Sequence, residues 1–139
     1  MSVKSGATFE ELSRILAQAA FLKHYAYAIQ SCGAGECTVR VPYSPVHDRP
    51  GNIVNGIVIM GSADVAMWLA IMTLRGIDEA WVTTDLKTAF LRSARAEDVF
   101  CTARVLKLGK KTAYGIAECR GSGTELLAHH VISYARVSV

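Results

Sequence analysis

The sequence predicts an α+β domain in which one antiparallel sheet wraps a single long buried helix. Three observations carry that prediction. The stretch from Pro50 to Leu74 holds one formally charged residue, Asp64, in an otherwise apolar or small-residue run, and a helix apolar on nearly every side has to be surrounded. Two β-rich segments precede this run and four follow it. The last three are joined by turns too short for a crossover, which makes them an antiparallel meander. At 139 residues the chain is a single domain, long enough to bury roughly two-thirds of its unfolded surface.

Each element has its own local reason. Residues 8–22 place Phe9, Leu12, Ile15, Leu16, Ala19 and Ala20 at helical spacing. Thr8 followed three residues on by Glu11 is a capping box, so an N-terminal helical segment is expected within residues 1–24. Residues 26–32 and 36–43 read as two strands about a Gly33-Ala34-Gly35 turn. Turn formers fill residues 44–53. The central helix is expected over 53–75, with Gly76 as its stop. Residues 80–90, 98–108, 112–120 and 125–137 are rich in Val, Thr, Ile, Tyr and Phe and read as strands.

Composition removes several functions. With 51% hydrophobic and 19% charged residues, long disorder is excluded. A net charge of +3 is too mild for a dedicated nucleic-acid binder. Cys32, Cys37, Cys101 and Cys119 form no CxxC pair, and His24, His47, His129 and His130 add no ligand spacing, so no metal site is expected. Cys32 and Cys37 flank a turn and could reach each other. The N-terminus lacks the apolar core of an export signal, so reduced thiols and a cytoplasmic location are the expectation. A membrane span would set Asp64 in hydrocarbon at a cost of several kcal/mol, and no membrane partner is expected. There is neither a GxSxG elbow nor a P-loop.

Two roles would keep a carboxylate inside such a helix. Asp64 can accept local hydrogen bonds and fix a packing register, or it can act as general base or nucleophile at the floor of an apolar pocket. Asn55-Gly56 lies where the helix begins, and exposed N–H groups there stabilise a developing oxyanion. Gly56 could also be only a packing glycine. Gly56 and Asp64 are separated by eight positions, ~12 Å along one helix, too far to serve one carbonyl. If both act, they come from different copies of the chain, across a two-fold interface. From Leu86 to Arg120 there are eight basic residues against three acidic ones. Arg92, Lys110 and Lys111 fall in turns, where two or three cations can converge on phosphates.

These residues carry a family resemblance. NGIVIMGSADVAMWLA, WVTTDLKTAFLRSA, ARVLKLGKKTAYG and ELLAHHVISYA, spread over residues 36–137, resemble hot-dog-fold acyl-CoA thioesterases of the phenylacetic-acid-degradation, or PaaI-like, type. The resemblance implies a homodimer whose two sheets join, often paired again into a homotetramer. It implies Asp64 as base or nucleophile towards a thioester, Gly56 as the oxyanion-hole glycine, and Thr83, with Thr84 beside it, as the residue that positions water. It implies Arg92, Lys110 and Lys111 as contacts to coenzyme A phosphates. Coenzyme A then enters as part of an acyl-CoA substrate, with no separate cofactor. The family commonly has His-Gly-Gly at the helix start, where this chain has Asn55-Gly56-Ile57. Asn55 can donate a hydrogen bond to a thioester carbonyl as histidine would.

The expectation is therefore hydrolysis of acyl-CoA or related acyl thioesters at a site shared between subunits. The alternative is a non-catalytic hot-dog protein that binds acyl-CoA or a protein partner. A dehydratase-like chemistry would need a histidine, and only His47, in the loop before the helix, is placed for it.

Overall fold

A computed structural model describes residues 6–138. Residues 1–5 of the expected N-terminal segment lie outside it. The elements are α1 (Phe9–Gln18), β1 (Ala28–Gly33), β2 (Glu36–Val41), β3 (Asp48–Arg49), β4 (Ile53–Val54), α2 (Gly56–Arg75), β5 (Ala80–Phe90), β6 (Val99–Leu108), β7 (Thr112–Arg120) and β8 (Leu126–Val137). Six strands form one antiparallel sheet in the order β1-β2-β6-β7-β8-β5. The expected meander is β6-β7-β8. β5 crosses over to pair with β8 and forms one edge of the sheet.

The Thr8 capping box forms, with Thr8 Oγ1 accepting from the Glu11 amide at 3.2 Å and Glu11 Oε1 accepting from the Thr8 amide at 3.0 Å. The helix ends at Gln18, earlier than its apolar spacing predicts. Ala19 turns extended and the chain continues as a 3₁₀ turn over Ala20–Leu22. The turn buries Leu22 and leaves Phe21 69% exposed. β1 and β2 meet at Ala34-Gly35, both with positive φ (52° and 81°), the backbone twist a two-residue hairpin needs. The stretch read as a plain loop contains the short β3-β4 ribbon. Ile53 and Val54 therefore belong to a strand, and the helix begins at Gly56 rather than 53.

Helix α2 is the core. Val58, Ala63, Ala66, Leu69, Ala70 and Ile71 are fully buried. Burial of each large aliphatic side chain stabilises by about 1.5–3 kcal/mol. At Gly115 on β7, an added Cβ would overlap the main-chain oxygen of Arg104 on β6 as well as the end of the Met67 side chain, so the close approach to the neighbouring strand needs glycine there. α2 is not enclosed on all sides by the rest of the chain. Ile57 is 72% exposed, and Met60, Asp64 and Trp68, spaced along the same face, are half-buried. This uncovered stripe lies on the side of the edge strand β5.

Candidate active site

Asp64 sits at mid-helix on that stripe. Its Oδ1 accepts from Thr83 Oγ1 at 2.6 Å and from the Tyr134 hydroxyl at 2.7 Å. The Tyr134 hydroxyl also lies 2.8 Å from the Asp64 main-chain oxygen. Burial, and then the negative charge of Asp64, push the Tyr134 phenol up, so Tyr134 stays a hydrogen-bond donor. These three residues border a cleft of about 420 Å³, walled by Trp68, Trp81 and Val82 with Phe21 at its rim. A carboxylate with one oxygen tied down, set against apolar walls, can take a proton from water or attack an electrophile.

Strand register assembles this constellation. Thr83 and Tyr134 are direct partners across the β5-β8 ladder. The register then slips between Thr83 and Asp85, a β-bulge that reverses which alternate residues face the helix. Trp81 and Thr83 face it before the bulge; Leu86 and Thr88 do so after it. Thr84, the neighbouring candidate, is exposed at the bulge. Trp81 is anchored below the cleft, its Nε1 donating to Glu79 Oε1 at 3.1 Å and the Arg75 guanidinium 5.4 Å from its ring centre. Tyr134 is the participant that sequence reasoning missed. Nothing local marks it among the strand aromatics; only its pairing opposite Thr83 does.

The helix start is a separate centre. Asn55 is the N-cap: its Oδ1 accepts from the Val58 amide at 2.9 Å, and its Nδ2 donates to the His47 carbonyl at 2.7 Å. One amide hydrogen of Asn55 is left for any other acceptor. Helix geometry leaves the Gly56 and Ile57 amides without intrahelical acceptors. A Cβ at Gly56 would stand 2.9 Å from Phe90 Cζ. His47 is buried and stacked on Tyr25 at 5.9 Å between ring centres, and its carbonyl is the anchor of Asn55.

The three cations expected at phosphates are not together in the chain. Lys110 and Lys111 lie in the β6-β7 turn and line a separate cleft of about 710 Å³ with Arg136. Arg92 lies beyond the opposite end of β5 and pairs with Glu125 at 3.3 Å, both well exposed. The ten-residue span of β6 corresponds to ~33 Å.

Among the described residues, Cys101, Cys119 and His130 are the group with metal-ligand chemistry at one point. They come from three neighbouring strands, which is why no sequence spacing marks them. A hydrogen bond of 2.7 Å joins the Cys119 and Cys101 sulfurs, and His130 Nε2 lies 3.2 Å from Cys119 Sγ. Two thiolates on one zinc ion stand about 3.7 Å apart, given Zn–S bonds of ~2.3 Å. As they stand, these donors touch one another and form a hydrogen-bonded core network, with Thr88 Oγ1 at 2.7 Å from His130 Nδ1. The hydrogen bond with Cys101, aided by His130 and opposed by burial, holds Cys119 down at about 6, while burial pushes Cys101 up. A depressed thiol stabilises the fold fully above its unfolded range, about 8.5, and loses that contribution as pH falls towards 6. Tm should therefore rise between pH 6 and 8.5, and Cys119→Ala should flatten the rise in a thermal melt series. An identical slope in the variant would exclude a thiolate at this position.

A family model of the thioesterase superfamily matches residues 51–126, more than half the chain and the stretch that carries α2 through β7. Ta0293 of Thermoplasma acidophilum, described as an esterase candidate, is 29% identical over 115 residues, 82% of this chain and 86% of its own. The conserved protein PA5202 of Pseudomonas aeruginosa superposes with a TM-score of 0.84 at 28% identity, over 90% of this chain and 99% of that one. The E. coli PaaI protein, from the phenylacetic acid degradation operon, gives a TM-score of 0.83 at 19% identity, over 94% and 97%. An antiparallel sheet packed on one long helix is the architecture those likenesses share with this chain. By its family model the chain belongs to the thioesterase superfamily, and its architecture is that of a hot-dog fold.

Proposed function

We propose that this protein hydrolyses acyl-CoA or related acyl thioesters at a site completed by a second copy of the chain. Thioester or ester hydrolysis is the chemistry of its family and relatives. The observation that carries this reading is the half-buried Asp64, its Oδ1 held by two hydroxyls beside an apolar cleft. Asp64 takes a proton from water, and the water oxygen bonds to the thioester carbon. The oxyanion that forms is held by the amide of Gly56 from the other copy, with Asn55 beside it. Collapse breaks the C–S bond, the proton held by Asp64 passes to the departing sulfur, and the acid and the thiol of coenzyme A are released. Thr83 orients the carboxylate and the water. In the direct alternative Asp64 bonds to the thioester carbon, the C–S bond breaks to leave a mixed anhydride, and water then hydrolyses that anhydride to the acid and restores the carboxylate.

Two features support the second copy. The face of α2 bearing Ile57, Met60, Asp64 and Trp68 is incompletely covered, and the open edge of β5 exposes Val82 and Phe90. An eleven-residue edge strand with apolar side chains is a template for strand pairing. Antiparallel pairing of two β5 strands lays the Thr83 end of one beside the Phe90 end of the other. The Asp64 of one protomer then approaches the helix start of its twin. The same operation brings Arg92 of one copy towards the Lys110 and Lys111 end of the other, which is how the three cations can serve one coenzyme A. A homodimer is the minimum functional unit in this scheme; a homotetramer pairs two of them.

The test is thiol release from a panel of acyl-CoAs, each compared with the acyl-N-acetylcysteamine thioester that lacks phosphates. Removing both cations with Lys110→Ala and Lys111→Ala should raise KM for the coenzyme A substrate about tenfold and leave the truncated one unchanged. Equal effects on both substrates would detach these lysines from phosphate binding. The commitment of Asn55 to capping favours a second reading, a protein that binds acyl-CoA without turnover. Calorimetric binding with no thiol release by wild type would establish it.

A further inference from the structure

We propose that Tyr134 is a positioning residue that dictates which oxygen of Asp64 reacts, an inference that rests on Asp64 acting as proposed above. One hydroxyl of Tyr134 reaches two acceptors on the same residue, Oδ1 at 2.7 Å and the main-chain oxygen at 2.8 Å. With one proton to donate, it bridges the Asp64 side chain to the backbone of its own helix, and so fixes the rotation of the carboxylate. Thr83 adds a second donor to the same Oδ1 at 2.6 Å. With both donors on Oδ1, Oδ2 keeps its lone pairs for a water or a thioester carbon in the cleft. The two donors are not equivalent. Thr83 is exposed, and water can take its place. Tyr134 is 4% exposed, and a donor lost there has no replacement. Its phenol is held far from ionisation by burial and by the adjacent carboxylate, so its role as donor does not change over the working pH range.

A hydrogen bond to the charged form favours that form. Removing it with Tyr134→Phe should lower kcat about tenfold and move the acidic limb of the kcat–pH profile upward by about one pH unit, with KM for the acyl thioester little changed. Thr83→Val should move the limb less. Incorporating 3-fluorotyrosine at position 134 keeps the packing while strengthening the donor, and should move the limb the other way. A role confined to packing would lower Tm in Tyr134→Phe without displacing the limb. An undisplaced limb in both position-134 variants, with Asp64→Asn inactive, would overturn the role of Tyr134 and leave Asp64 standing. Full turnover by Asp64→Asn would instead remove the premise. If Tyr134→Phe does not fold, the fluorinated protein alone decides.

Discussion

Replacing Asp64 by asparagine should reduce kcat for acyl thioester hydrolysis by about 10²–10⁴-fold, with the fold intact. The amide oxygen can still accept from Thr83 Oγ1 and Tyr134, the two donors that hold Oδ1 in the native protein. What disappears is the negative charge and the proton-accepting oxygen on the cleft side. The expected profile is a kcat collapse with a small change in KM and an unchanged circular dichroism spectrum, checked by steady-state thiol release. Retained hydrolysis would send the search for the base elsewhere. Within one protomer the next titratable histidine before the helix, His47, is packed on Tyr25 and capping-linked through its carbonyl, so His47→Ala should affect stability more than turnover.

Gly56→Pro should cost about 10²–10³-fold in kcat for a different reason. Gly56 is the first residue of α2, and proline is tolerated at that position because the missing N–H has no intrahelical partner. Asn55 already has the extended backbone, φ −68° and ψ 150°, that a residue before proline adopts. An added Cβ meets the end of the Phe90 side chain, a ring 52% exposed. The substitution thus deletes an oxyanion donor while the helix stays capped. Co-expressed in equal amounts, the inactive Asp64→Asn and Gly56→Pro chains should regain about a quarter of wild-type activity. Half of randomly assorted dimers pair one variant with the other, and each such pair has one intact site out of two. No recovery would mean that each protomer supplies both groups itself, and the shared site would have to be abandoned.

The boundaries of the six long strands and the capping box were legible because they are local. Alternation, β-branched content and turn residues decide a strand within ten residues, and Thr8 with Glu11 needs only four. The central helix was legible because one charge in a long apolar run has few explanations. That same charge marked Asp64, and Gly56 followed from its place at the helix start. The β3-β4 ribbon and the early end of α1 were not legible: two-residue strands have no period, and the break at Ala19 serves the burial of Leu22 rather than any local signal.

Sequence alone determined the class of fold, the order of its elements and the presence of one carboxylate within the central helix. Tertiary structure decided the company that carboxylate keeps. Tyr134 and Thr83 are far apart in the chain and meet because β5 returns to pair with β8 in one register. The bulge after Thr83 is a property of two strands together, and it determines which side chains of β5 look inward. The separation of Arg92 from Lys110 and Lys111 has the same origin, because both ends of a strand are near in sequence terms but a full strand length apart in space. Pairing register and strand order are set by the summed burial of a whole sheet face, and no single segment carries that information.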